Sequence, residues 1–252
     1  MNPYKADLHI HSVLSPCGDL EMTPPQIIGK AKSLGLDMIG LTDHNSTRQS
    51  KLTAEIGARE GIFVLRGVEV TTQEEIHCLS FFEKDEELDA FQEYLEKHLT
   101  FVENDPDKFG YQLLVDEDEN VLDMEEGLLV SALDEGMDEI YEKVKSLNGI
   151  FIPAHINKGT TSVMSQLGFV PPDIKADALE ITRHITKEDF IKKAAYLKNF
   201  TFIQSSDAHY VHLIGETLSI FHMESLSFEE VRKTLRKEDG RFVELITKES
   251  KR

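Results

Sequence analysis

The sequence predicts a mainly parallel α/β fold closed, or nearly closed, into a barrel. Short apolar runs of strand character alternate with amphipathic helical runs for most of the 252 residues, as in β-α-β units around a parallel sheet. About seven or eight such strands fall within one domain-sized chain, and 40% of its residues are apolar, enough to bury a real core. Metal-competent side chains recur at or near the C-terminal ends of these strands, the edge where (β/α) barrels build their sites.

Residues 6–11 (ADLHIH) read as the first strand. A helix follows over about 24–34, opened by Thr23 as N-cap, Pro24 at N1 and Gln26 as capping-box partner. LDMIGLT (36–42) is the second strand, 47–60 a helix, and IFVLRGVEV (62–70) a buried third strand. IHCLSFF (76–82) is the fourth, followed by a helix over about 85–98. Further strands are expected in GIFIPA (149–154), ALEIT (178–182), FTFIQSS (200–206) and LSIF (218–221). Between them lie a helix near 187–198 capped by Thr186 and one over about 228–237 with Ser227 and Glu230 as capping box. The whole chain, 1–252, reads as a single domain with one interruption. Residues 99–132 suggest a polar hairpin around Glu119-Asn120, an inserted rim or lid segment before a helix at 134–147.

Net charge is −19, but it is unevenly placed: residues 83–148 hold 22 acids and 5 bases, and the remainder is nearly neutral. No basic track is visible for displacing the counterions of DNA or RNA, so long nucleic acid is not expected as the main substrate. Clustered metal would make the local field more positive than formal charge suggests. Two cysteines, Cys17 and Cys78, exclude a disulfide framework, and no apolar stretch approaches a membrane span. The start of the chain carries no long apolar secretory segment, so a cytoplasmic location is expected. Oligomeric state is left open.

The chemistry lies in the histidines. His9 and His11 alternate on the first strand and share a face, roughly 7 Å apart along it, near enough to converge on one ion. His44 sits in LTDH after the second strand, Glu69 in RGVEV, and His77 on the fourth strand. His155 follows GIFIPA, and Asp207 and His209 form SDAH after FTFIQSS.

DLHIHS, LTDHN, GVE, the lone His77, PAH and SDAH, in that order and spacing, resemble the PHP (polymerase and histidinol phosphatase) family over nearly the full length except the acidic insertion. The resemblance implies a distorted (β/α)7 barrel with two or three divalent metal ions (zinc, manganese or iron) at the C-terminal edge. It implies that His9, His11, Glu69 and Asp207 hold the first metal, with Glu69 bridging to a second that His77 and His155 complete. His44 and His209 would hold a third. Asp207, His209 and His44 are the expected catalytic residues. Many relatives carry a further ligand after the first strand. Here that stretch offers Asp19 first, Cys17 second, with neither touching metal as the third reading.

Arg48, Lys158, Arg183 and His184 lie just past strand ends, where cations grip a substrate phosphate; Arg183 and Lys158 are preferred. Asp7 and Asp43 are candidates for orienting ligand imidazoles. His98 reads as a surface residue, and His212 and His222 as structural. The expected activity is that of a metal-dependent phosphoesterase, in which metal-activated hydroxide attacks phosphorus. The favoured substrate is a small phosphorylated metabolite or nucleotide. The alternatives are an amidohydrolase-type C–N hydrolase, a nuclease acting on short oligonucleotide ends, and a non-catalytic module binding through the insertion.

Overall fold

A computed structural model describes residues 1–246. In it β1 (Asn2–Ile10), β2 (Met38–Leu41) and β3 (Phe63–Thr71) run parallel, with α1 (Pro24–Ser33) and α2 (Ser50–Glu60) as their crossovers. β4 (His77–Phe82) then turns back antiparallel to β3, and α3 (Asp85–His98) covers it. The insertion contributes α4 (Pro106–Phe109) and the hairpin of β5 (Leu113–Val115) and β6 (Val121–Met124). The chain continues through α5 (Met137–Ser146), β7 (Ile150–Pro153), α6 (Val163–Leu167), β8 (Leu179–Glu180), α7 (Lys187–Lys193) and β9 (Phe202–Ile203). β10 (Ser219–Met223), α8 (Phe228–Leu235) and β11 (Phe242–Leu245) follow.

One seven-stranded mixed sheet has the order β11-β10-β1-β2-β3-β4-β7, and β8 and β9 form a short parallel pair. The large sheet curls because backbone bonds join that pair to both its sides. Asp177 and Ile156 N–H donate to Phe151 and Glu180 carbonyls on one side, and His11 and Ala208 N–H to Ala208 and His9 carbonyls on the other. The expectation of regular β/α units is met in outline only. β4 is antiparallel to both neighbours, and β10 and β11 extend the sheet beyond β1. Inside the curl Phe81 is fully buried. A Cβ at Gly40 or Gly67 would stand 2.9 Å or 2.5 Å from its ring, so both strands need glycine there.

Several local expectations shift. β8 and β9 are only two residues long, since the chain leaves the ladder after Glu180 and Ile203 to carry site residues. Thr23 opens α1 without capping it: its hydroxyl donates to Glu119 of the insertion (2.6 Å). Thr186 and Ser227 do cap their helices, accepting from Asp189 and Glu230 N–H. The Glu230 side chain, however, pairs with Arg241 rather than closing a capping box. α7 stops at Lys193 and is followed by a 3-10 turn, Ala195–Leu197. The hairpin turns at Glu119, in the left-handed region (φ 64). It is tied down by two bonds between Gln49 and Val115. Among the described residues no helix is long and apolar enough to cross a membrane.

Candidate metal centre

Four strand ends and two loops deliver side chains to one buried point. Glu69, near the end of β3, has no solvent exposure, and its two oxygens face five imidazoles. Oε1 lies 3.1 Å from His9 Nε2, 3.0 Å from His77 Nδ1 and 3.2 Å from His155 Nε2. Oε2 lies 3.4 Å from His11 Nε2 and 3.2 Å from His44 Nδ1. Asp207 Oδ1 stands 3.5 Å from both His9 and His11 Nε2. The His209 ring stacks on His11 with centroids 4.1 Å apart. All eight main candidates from the sequence therefore meet in one pocket.

Local backbone makes this possible at a cost. His155 (φ 28) and Asp207 (φ 53) occupy the left-handed region, unusual for residues other than glycine. His155 stands two residues past the end of β7 and Asp207 four past the end of β9.

Surrounding bonds hold the ligands in place. Asp43 accepts from Ser12 N–H (2.6 Å) and from the Ser12 and Ser15 hydroxyls (2.6 and 2.7 Å). Ser15 Oγ lies 3.1 Å from His11 Nδ1 and accepts His44 N–H, so Asp43 orients His11 through Ser15. Asp7 does not orient an imidazole. Its carboxylate accepts Ser206 and Gly215 N–H, anchoring the segment that carries Asp207, and burial raises its pKa to about 6. One participant escaped the sequence reading: Glu180, 2% exposed, whose Oε2 lies 3.1 Å from His9 Nδ1 and accepts His155 N–H (2.8 Å). The available signal was an acid at a strand's end, as Glu69 stands near the end of its own.

The other candidates divide. Lys158 Nζ reaches Asp207 Oδ2 at 2.8 Å and stands beside the centre. Arg183 pairs with Glu216 (2.5 Å) at an exposed position, next to exposed His184. Arg48 is bound by the insertion's Asp123 (2.8 Å) and Glu125 and so clamps that segment. Asp19 lies outside the converging groups: its carboxylate accepts Glu21 N–H, while its own N–H donates to the His209 carbonyl. Cys17 is not among the grouped ligand atoms, but its thiol faces the same centre: burial and the nearby Glu69 and Asp207 carboxylates push its pKa up to about 12. His98 pairs with Asp134 and Glu135, and His222 with Glu244.

Electrostatics favour anionic carboxylates here. Burial alone would neutralise Glu69, yet His77 and His9 hold its pKa well below the usual glutamate range. Burial likewise disfavours charge on His9, but Glu69, Glu180 and Asp207 outweigh it and raise its pKa well above the ordinary value. Burial and the neighbouring His11 lower His44 strongly and bring His209 to about 4. Glu69 and Asp207 are thus ionised and His44 and His209 neutral, as a cation requires, whereas His9 and His11, whose pKa values are raised, would each release a proton on binding one.

The donor set fits divalent metal. Atoms of His9, His11 and Glu69 lie within 4.8 Å of one another, as do those of His44, Glu69 and His77, and those of His11, His44 and His209. Glu69 Oε2, His44 Nδ1, His77 Nδ1 and His155 Nδ1 are buried without a hydrogen-bond partner. Natural proteins rarely leave so many buried polar atoms unsatisfied in one place, and a shared cation accounts for three of these four, which face the centre.

The PHP domain family matches residues 7–157, a stretch that carries six of the eight residues. The chain belongs to the PHP domain family. As a PHP protein it resembles solved structures across nearly its whole length. The likeness to the lesion-specific endonuclease Q of Pyrococcus furiosus covers 96% of this chain and 58% of that one, at 23% identity and a TM-score of 0.71. Endonuclease Q in complex with a 27-mer duplex bearing an abasic lesion gives 22% identity, the same coverage and a TM-score of 0.72. A putative metal-dependent phosphoesterase from Bifidobacterium adolescentis matches at 19% identity and a TM-score of 0.57, over 81% of this chain and 87% of that one. A phosphoribosyl 1,2-cyclic phosphate 1,2-diphosphodiesterase of Eggerthella lenta is 34% identical over 65 residues, 26% of this chain and 24% of the relative. The chain spans less than half the length of the curated relatives it matches.

These likenesses correct the exclusion of long nucleic acid. A fold matched over 96% of this chain works in endonuclease Q on duplex DNA. The exclusion rested on formal charge, and most of that charge lies in residues 83–148, leaving the remainder nearly neutral. Net charge is therefore no guide to the surface around the centre.

Proposed function

We propose that this PHP protein hydrolyses phosphoric esters with two or three divalent ions held by the eight converging residues. His9, His11, Glu69 and Asp207 would hold one, Glu69 with His77 and His155 a second, and His44 with His209 a third. The observation that carries this reading is Glu69, one buried carboxylate facing five imidazoles within 3.4 Å. Bound there, zinc, manganese or iron would supply Lewis acidity toward a phosphoryl oxygen and acidify a water for attack.

The chain's own side chains do the rest. Glu69 and Asp207, both ionised, fix where positive charge gathers. Lys158, partly exposed beside Asp207, meets a non-bridging phosphate oxygen as it arrives, and Arg183 lies further out on the loop after β8. His44 and His209, held neutral, group with His11 at the centre. The favoured substrate is a small phosphorylated metabolite or nucleotide. Cleavage within a nucleic acid strand is the second reading, supported by the likeness to endonuclease Q over 96% of the chain.

Purified protein loaded with zinc, manganese or iron should release phosphate from nucleotides and sugar phosphates, or cut labelled duplexes carrying an abasic site. The His9→Ala variant should lose turnover by orders of magnitude while staying folded. Near-normal rates in that variant, or hydrolysis of a cyclic amide with no phosphoester turnover, would overturn the reading.

A further inference from the structure

Glu180 belongs to no proposed ligand set, yet it touches two of them. One oxygen, Oε2, meets both His9 Nδ1 at 3.1 Å and the backbone N–H of His155 at 2.8 Å. His9 offers its Nε2 to Glu69 and Asp207, whereas His155 offers its Nε2 to Glu69 alone. The two imidazoles therefore serve different halves of the cluster and share one anchor. Their rings stack at an interplanar angle of 21° with centroids 5.7 Å apart.

We infer that Glu180 is a positioning residue that couples the two halves of the metal centre. Its acceptor on Nδ1 keeps the His9 proton on that nitrogen and leaves the Nε2 lone pair directed at the centre. Its bond to the His155 N–H holds that residue in the strained left-handed conformation (φ 28) which returns the ring to Glu69. The side chain is buried, and its second oxygen, Oε1, has no hydrogen-bond partner. A buried carboxylate oxygen left unsatisfied is costly, and Oε2 alone makes the bonds that matter here. The short β8 ends on this residue, and Ile156 N–H donates to the Glu180 carbonyl, so strand pairing fixes the anchor's height.

This inference rests on the eight residues holding metal, and its test separates the two claims. Zinc and manganese affinities of metal-stripped protein are measured by chelator competition for the wild type and for Glu180→Gln, Glu180→Asp and Glu180→Ala. Glutamine keeps an acceptor at full reach, whereas aspartate keeps the charge but falls short of both bonds. Positioning therefore predicts that Glu180→Gln stays within several-fold of the wild type. Glu180→Asp and Glu180→Ala should weaken binding by about 10- to 100-fold, and for two ions rather than one. Aspartate binding like the wild type, or glutamine binding as weakly as alanine, would overturn the inference and point to charge alone. Should Glu180→Ala not fold, the glutamine and aspartate variants still decide between reach and charge. Wild-type protein that bound no divalent ion would instead sink the ligand assignment. Glu230→Gln, altered far from the centre, is the control whose metal affinity should not change.

Discussion

Glu69 and Glu230 are both buried carboxylates facing cationic or ionisable partners, but their surroundings differ in completeness. Glu230, near the start of α8, receives Arg241 through two parallel bonds of 2.8 Å and the Glu224 N–H at 2.9 Å. A bidentate guanidinium fills the carboxylate and closes that corner between α8 and β11. Glu69 has five nitrogens within 3.4 Å, yet its Oε2 and two of those nitrogens, His44 Nδ1 and His77 Nδ1, make no hydrogen bond. A satisfied buried charge holds the fold, whereas one whose partners converge without pairing marks a place for a ligand.

The largest effect should come from Glu69→Gln. Removing the shared charge should abolish tight zinc or manganese binding and reduce phosphoester turnover by orders of magnitude, read by chelator competition and phosphate release. Retained metal binding there would break the contrast between the two glutamates. Asn45→Ala tests the satisfied kind of polar group beside the centre. Its amide donates to the Leu129 and Ser131 carbonyls and accepts Thr71 N–H, joining the insertion to the strand ends. Its loss should cost about 2 kcal/mol in urea unfolding, as expected when a buried donor and acceptors lose their partner, with metal stoichiometry intact.

The smallest effect sharpens the other half of the comparison. The Arg241 bonds hold the Glu230 pKa at about 2, below the ordinary 4.5. A depressed carboxylate contributes stability fully above its unfolded value and loses it as pH falls through the folded one. Wild-type stability should therefore decline between pH 4.5 and 2, and Glu230→Gln should lack that part of the slope in thermal melts taken across this window. An unchanged slope would show that the pair contributes nothing to acid stability.

The acidic insertion shows why charge counts mislead. It holds 10 of the chain's 46 acidic residues, but Asp123, Glu125 and Glu117 pair with Arg48 and Arg59 at partly exposed positions, where such pairs contribute little. The insertion docks on the α2 entrance through Gln49, Arg48 and Asn45, so the Arg48 guanidinium is engaged by this segment. Nothing in the local sequence distinguishes a clamp arginine from a phosphate-binding one, because the partner lies 75 or more residues away.

By itself the sequence determined the alternation of strands and helices, the position of the hairpin, and the set of side chains able to meet at one edge. Those features follow from short-range periodicity and from the rule that successive strand ends share a face of a barrel. Tertiary structure decided what depends on distant partners: the antiparallel return of β4, the capture of Arg48 and the recruitment of Glu180. A hydrogen bond is fixed by the separation of two atoms, and folding brings residues 9 and 180 within 3.1 Å while their spacing along the chain gives no sign of it.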